Sequence, residues 1–201
     1  MTVNPLAFYD CLSLSAHIQR VVSSCTRAEI HLFGYLSCLL WLYRENCVAD
    51  WGYSFFSTRE GAPFSPDIDK AIETSLQQGF LKGEENSLEL TSTGASFLES
   101  LNSLHANRSR EAYIDGACSA LLTLPISTLA LAISNEPALS QTRLIDGVRF
   151  LVDNANPENF TPAYEHFQAI KSVLGDGEHH LMTVSCLWMN ALVSSLDGDS
   201  L

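Results

Sequence analysis

Between Tyr53 and Phe97 the local chemistry leaves few ways for the chain to fold. The segment Gly61-Ala62-Pro63-Phe64-Ser65-Pro66 is a turn, because each proline fixes its own φ and pushes the residue before it out of the helical region. Ser65 then suits the N-cap of a helix, with Pro66 at its first position and Asp67 and Asp69 in its positive first turn. Ile68, Ala71, Ile72, Ser75 and Leu76 recur at helical spacing up to Gln78, and Gly79 suits the left-handed residue that ends a helix. Phe80-Leu81-Lys82 and Ser87-Leu88-Glu89-Leu90 flank the polar Gly83-Glu84-Glu85-Asn86, which is the pattern of a half-buried hairpin. Thr91-Ser92-Thr93-Gly94 begins another helix, running to about Leu104.

The residues before this unit read as helical. Leu6 to Cys25 forms one helix, and Thr26 with Glu29 three residues later is a capping box opening a second, Arg27 to about Asn46. That second helix is apolar on nearly every side, so it is either central in the core or covered by another chain. Tyr53 to Phe56 is an aromatic strand, and the expected core of the unit is Trp41, Phe55, Ile72, Leu76, Leu81, Leu90 and Phe97.

Beyond it, the polar stretch Asn102 to Arg110 is a candidate separator of two lobes. Helices are expected over Glu111–Thr123, Thr128–Ser134, Ser140–Asp153 (apolar set Leu144, Val148, Phe150 and Leu151), Thr161 to Gly175, and Glu178–Leu196. The whole reads as mainly α with a small β-hairpin, divided into residues 1–104 and a helical region over 105–201. The last helix carries two apolar stripes, Leu181/Val184/Trp188/Leu192 and Met182/Cys186/Met189/Val193. One stripe suffices to close a core. The other is expected to meet a partner, making Leu181, Met182, Trp188, Met189, Leu192 and Val193 the candidate interface residues.

Charge narrows the choice of partner. Of 201 residues, 23 are acidic and 11 basic, a net charge of −12, which opposes broad binding to nucleic acid or anionic membranes. The helix that a DNA-reading winged unit would use for recognition carries Asp67, Asp69 and Glu73 against Lys70, and the hairpin tip carries Glu84 and Glu85 against Lys82. Arg108 and Arg110, or Arg143 and Arg149, could make a minor phosphate contact, but surface solubility explains them more simply. The apolar runs Leu32–Tyr43 and Gly116–Ile133 are a short run and a proline-broken one, so buried segments are expected rather than membrane spans. With no signal-peptide pattern at Met1–Asp10 and six cysteines lacking any CxxC pair, a reduced cytoplasmic protein is expected.

Chemistry-bearing motifs are sparse. Glu178-His179-His180 invites a metal reading, but adjacent helical residues point about 100° apart. There is no GxSxG, HExxH or phosphate-loop pattern, so no catalytic residue, metal or cofactor is expected.

The order strand, turn, helix, hairpin, helix is that of a winged-helix module, with Arg27–Asn46 as its first helix. Tyr53-Ser54-Phe55-Phe56, Gly61 to Pro66, Gly79-Phe80-Leu81 and Leu90-Thr91-Ser92-Thr93-Gly94 together resemble two groups. These are SocA-like (Panacea) domains and the winged-helix middle subunits of ABC-three-component and Lamassu-type antiphage systems. Ala62 interrupts the glycine-proline pair of the first group, and the likeness covers about 45 residues. The second resemblance implies a winged-helix-like unit in a non-catalytic adaptor bridging an SMC-like coiled-coil ATPase and an effector such as a nuclease, touching DNA indirectly or weakly. The alternative from another class is a winged-helix DNA-binding regulator or antitoxin.

Overall fold

The structure, a computed structural model, describes residues 2–84, 86–142, 149–153, 161–175 and 179–198. Its first helix, α1 (Pro5–Ile18), begins where Pro5 fixes φ and the Asn4 side chain accepts from the amides of Leu6 and Ala7. Every residue from Ala7 to Ser15 is buried, so α1 is an axle around which the rest of the chain is wrapped. It ends earlier than its expected limit of Cys25. The β-branched pair Val21-Val22 and the two serines that follow favour a turn over another helical turn. Cys25 instead forms an isolated antiparallel bridge to Leu88, its N–H donating to the Leu88 carbonyl at 2.9 Å and its carbonyl accepting at 2.7 Å.

Helix α2 (Arg27–Tyr43) starts with the expected capping box. The Glu29 amide donates to Thr26 Oγ1 at 3.1 Å, and the Glu29 carboxylate accepts from the Thr26 amide at 2.7 Å. Its all-round apolar surface is covered by this chain itself, so α2 needs no second chain to hide it. After a short 3-10 turn (Val48–Trp51) come β1 (Phe55–Ser57) and β2 (Pro63–Phe64). Then follow α3 (Pro66–Gln77), the hairpin β3 (Leu81–Glu84) and β4 (Ser87–Leu90), and α4 (Ser92–Asn102). Gly79 stands at φ 73°, ending α3 as its sequence implies.

Helix α4 begins at a cap built from the Leu90-Thr91-Ser92-Thr93-Gly94 motif. Thr91 Oγ1 accepts from the Gly94 amide at 3.0 Å and donates to the Gly79 carbonyl at 2.8 Å. A Cβ on Gly94 would lie 2.3 Å from the Phe80 carbonyl oxygen, so only glycine lets α4 approach the hairpin this closely.

The rest is α5 (His105–Cys118), α6 (Ile126–Ser134), α7 (Pro137–Thr142), β5 (Phe150–Val152), α8 (Thr161–Leu174) and α9 (Leu181–Gly198). The chain is therefore mainly helical with two small sheets, ordered β2-β1-β5 and β3-β4. One expectation fails here. Phe150-Leu151-Val152 is a strand and not part of a helix over Ser140–Asp153, because aromatic and β-branched residues suit the open edge of β1 (Phe55 pairs Val152, Phe56 pairs Phe150). Leu144 and Val148, expected on that helix, lie outside the described residues. The aromatic strand does not join the hairpin. β1 sits between β2 and β5, and the hairpin's neighbour is Cys25.

Phe55, Ile72 and Leu81 are buried as expected, while Trp41, Leu76 and Leu90 are half-buried. Phe97 is 37% exposed, because α4 turns its Leu98 and Gly94 side inward and leaves Phe97 stacked on Phe80 at the surface.

Arg110 is the largest correction. Expected at the surface, it is only 2% exposed and faces Asp10, which is fully buried on α1. Arg110 Nε donates to Asp10 Oδ1 at 2.8 Å, Nη2 donates to Oδ2, and Nη1 donates to the Trp51 carbonyl at 2.9 Å. The guanidinium also lies 3.8 Å from the centroid of the Trp51 ring, and Tyr53 Oη donates to Asp10 Oδ2 at 2.5 Å. Burial works against the Arg110 charge, but Asp10 more than offsets it, so the guanidinium is held charged. The polar stretch 102–110 contains the end of α4, a turn and the start of α5, and α5 packs along both α1 and α2.

Removing one member of this pair leaves the other charged, buried and alone. Asp10→Asn and Arg110→Met are each expected to cost about 3–5 kcal/mol in chemical denaturation, and the double variant Asp10→Leu/Arg110→Met much less than their sum. Additive losses in that double-mutant cycle would show that the two groups do not depend on each other.

Candidate functional site

Three surfaces bear on function. The first is α3 with its hairpin. Helix α3 is anchored by α2 at its N-terminal end. The Ser65 amide donates to His31 Nδ1 at 3.2 Å, and Arg27 Nη1 donates to Asp69 Oδ1 at 2.6 Å. Phe64 lies against the His31 ring at 4.8 Å between centroids. The Ser65 hydroxyl makes no capping bond, so the anchorage comes from the histidine and the ion pair.

Outward, this surface is acidic. Lys70 pairs with Glu73 at 3.5 Å and Lys82 with Glu89 at 2.7 Å, so both lysines already face carboxylates. Glu84 is exposed on the hairpin, and Glu85 lies outside the described residues. Arg108, weighed as a phosphate contact, donates from Nε and Nη2 to the carbonyls of Asn102 and Ser103, closing the C-terminal end of α4. Arg143 lies outside the described residues.

The second surface is α9. Leu181, Val184, Trp188 and Leu192 are buried within this chain, Trp188 against Phe167 at 5.2 Å between ring centroids, so that stripe closes the core. Helix α9 can sit this close to α5 because Gly116 has no side chain; a Cβ there would lie 2.6 Å from Leu181 Cβ. The Met182/Cys186/Met189/Val193 stripe divides. Met189 is fully buried, whereas Met182, Cys186 and Val193 are half-buried. Cys186 Sγ lies 3.1 Å from Thr123 Oγ1, and Leu187, which belongs to neither stripe, is 41% exposed. Of the six candidate interface residues, only Met182 and Val193 therefore keep exposed surface, and Leu187 lies on a different side of α9.

The third surface was not expected. On α4 and the turn after it, Phe97, Leu101 and Leu104 are spaced four and three residues apart and share one side. Phe97 stacks on Phe80 at 4.7 Å, and Leu104 is 53% exposed. The spacing is plain in the sequence, but assigning Phe97 to the core hid it. A shallow groove of about 380 Å³ also opens between the start of α2, the Gly61–Pro63 turn and α6, lined by Ala28, Leu32, Ala62, Ile126 and Ile133 among others.

Titratable groups inside the chain serve packing. Glu111 on α5 accepts from Tyr9 and Ser13 of α1 and bonds to His17 Nε2 at 2.7 Å. Burial alone would raise its pKa, but these hydrogen bonds outweigh that and lower it to about 2. Glu136 accepts from Tyr35 Oη and the Leu139 amide, and burial pushes its carboxyl up. Of the expected metal temptation, Glu178 lies outside the described residues, and His179 Nε2 lies 3.1 Å from the Gly175 carbonyl. Among the described residues no group of three His, Cys, Asp or Glu side chains is placed to hold a metal ion. No single described helix is long and apolar enough to cross a membrane. α5 and α6 pass that test only as a pair bent by 118°, and α5 carries the buried Asn107 and Arg110.

Fold and surfaces thus define a mainly helical chain with two small sheets, an acidic helix–hairpin face and two apolar surface strips. No protein-family model, curated protein or solved structure matches it.

Two expected outcomes follow from this geometry. Trp188→Ala should cost about 3–5 kcal/mol, whereas Leu187→Asp should leave the unfolding free energy within about 0.5 kcal/mol of its starting value. Equal losses for the two would mean that α9 is turned differently. The second concerns pH. Burial lowers the His31 pKa from 6.5 to about 4, the nearby Asp69 only partly opposing it. The folded state therefore binds fewer protons than the unfolded one in this window, so stability should fall as pH drops from about 6.5 towards 4. Protonating Nδ1 also breaks the bond from the Ser65 amide. His31→Gln, measured by urea denaturation across this range, should flatten that part of the profile; an unchanged slope would assign the loss to other groups.

Proposed function

We propose that this chain is a cytoplasmic, non-catalytic adaptor built on a winged-helix-like unit, and that it serves in a multi-protein antiphage defence complex. In that complex it bridges an SMC-like coiled-coil ATPase and an effector such as a nuclease. The winged-helix reading is supported by the order α1, Cys25 bridge, α2, α3, β3–β4 hairpin, in which β1 and β2 are an insertion between α2 and α3.

The observation that carries the adaptor reading is the acidity of the α3–hairpin face. In a winged helix that reads DNA this helix offers cations or amides to the duplex. Here its lysines are paired with carboxylates and Asp69 is tied to Arg27, so the face would repel a phosphate backbone and suits a protein partner. On α9 the exposed Leu187, and on a different side of the same helix the half-buried Met182 and Val193, leave apolar surface for a second contact.

Co-expression with the products of adjacent genes is the test. The expected result is a complex that survives purification and is weakened by Leu187→Asp. A well-behaved chain that captures none of those products would sink the reading. Tight DNA binding that weakens steeply with salt in a gel-shift would favour the regulator or antitoxin instead.

A further inference from the structure

We propose that α4 is a self-association surface whose occupant is a second copy of this chain, the two α4 helices lying antiparallel about a two-fold axis. The strip is apolar and open: Phe97 and Leu104 are 37% and 53% exposed, Leu101 is half-buried between them, and Phe80 extends the aromatic surface by stacking on Phe97. The side of α4 beside it carries the small uncharged residues Thr93, Ser96, Ser100 and Ser103, which let another helix come close, with the exposed Glu99 bordering them. In a chain with a net charge of −12, such an uncharged strip is a place where two copies can meet without opposing like charges directly.

Charge selects the antiparallel arrangement. The hairpin leading into the N-terminal end of α4 bears Glu84 and Glu89, with Lys82 on Glu89. Just past its C-terminal end lies Arg108, exposed, its guanidinium resting on the Asn102 and Ser103 carbonyls and still carrying its charge. Helix α4 has 11 residues and is about 16 Å long, so antiparallel pairing sets the basic end of one copy beside the acidic end of the other. The two-fold axis makes this contact twice, since each residue that meets the partner is met in return. A parallel arrangement would put like ends together. The pairing leaves α3 and Leu187 open but draws on Glu84 and Glu89 of the hairpin, and its tests use this chain alone, so their outcome is separate from that of the adaptor reading.

Light scattering of the full chain, from low to high micromolar concentration, tests the proposal. The expected mass approaches twice the 22.1 kDa of one chain, and Leu104→Glu should give the mass of a single chain with an unchanged helical circular-dichroism signal. Arg108→Glu should raise the dissociation constant by about tenfold, from two lost cross-copy pairs. Adding Glu89→Lys to Arg108→Glu should restore much of the affinity by reversing both ends. A single-chain mass at every concentration overturns the proposal, and so does a dimer indifferent to Leu104→Glu. A double variant no tighter than Arg108→Glu alone overturns the antiparallel pairing. Should Leu104→Glu fail to fold, the Arg108 and Glu89 variants decide between these outcomes.

Discussion

A buried charge pair, Asp10 with Arg110, sets the arrangement of the core. An unpaired charge in that position is costly, so α1 and α5 must meet at one angle and one register for both groups to be satisfied. The same pair fixes the loop after α2. Arg110 reaches the Trp51 carbonyl, its guanidinium covers the Trp51 ring, and Tyr53 reaches Asp10. Three distant segments are thereby held to one point. Glu111, one residue further along α5, makes a second junction with α1 through Tyr9, Ser13 and His17. Hydrophobic packing supplies most of the driving force for such a core, and the polar contacts select which packing is adopted.

Elements whose signals are local were legible in the sequence. The Thr26/Glu29 capping box, the Ser65-Pro66 start of α3, the turn at Gly79, the hairpin and the Thr91 cap depend on residues within a few positions of one another. Features set by distant contacts were not legible. Arg110 reads as a surface residue until Asp10 is opposite it. Phe150–Val152 reads as helical until β1 offers it an edge, and Phe97 reads as core until Gly94 sets how α4 lies on the hairpin. The two stripes of α9 were recognised, but their fates depended on α5, whose Gly116 admits Leu181.

The candidate surfaces were legible to different degrees. The acidity of α3 and its hairpin is a matter of composition and carries over directly, although the pairing of each lysine with a carboxylate needed the fold. The candidate interface on α9 contracts from six residues to the open part of one stripe, because helix periodicity tells which side chains align and not which neighbour covers them. The strip on α4 was hidden for the opposite reason, its aromatic residue having been credited to the interior.

The position of β1 between β2 and β5 has a consequence for how the chain is made. Strand β2 follows β1 within a few residues, but β5 is separated from it by α3, the hairpin and α4 to α7. During synthesis one edge of β1, with its aromatic pair Phe55-Phe56, must stay unpaired until Val152 has left the ribosome. Fragments ending before residue 150 would carry that edge permanently and be prone to pair with one another. Among the described residues the three-stranded sheet is therefore closed only after α3 to α7 have been made, by a strand that follows all of them.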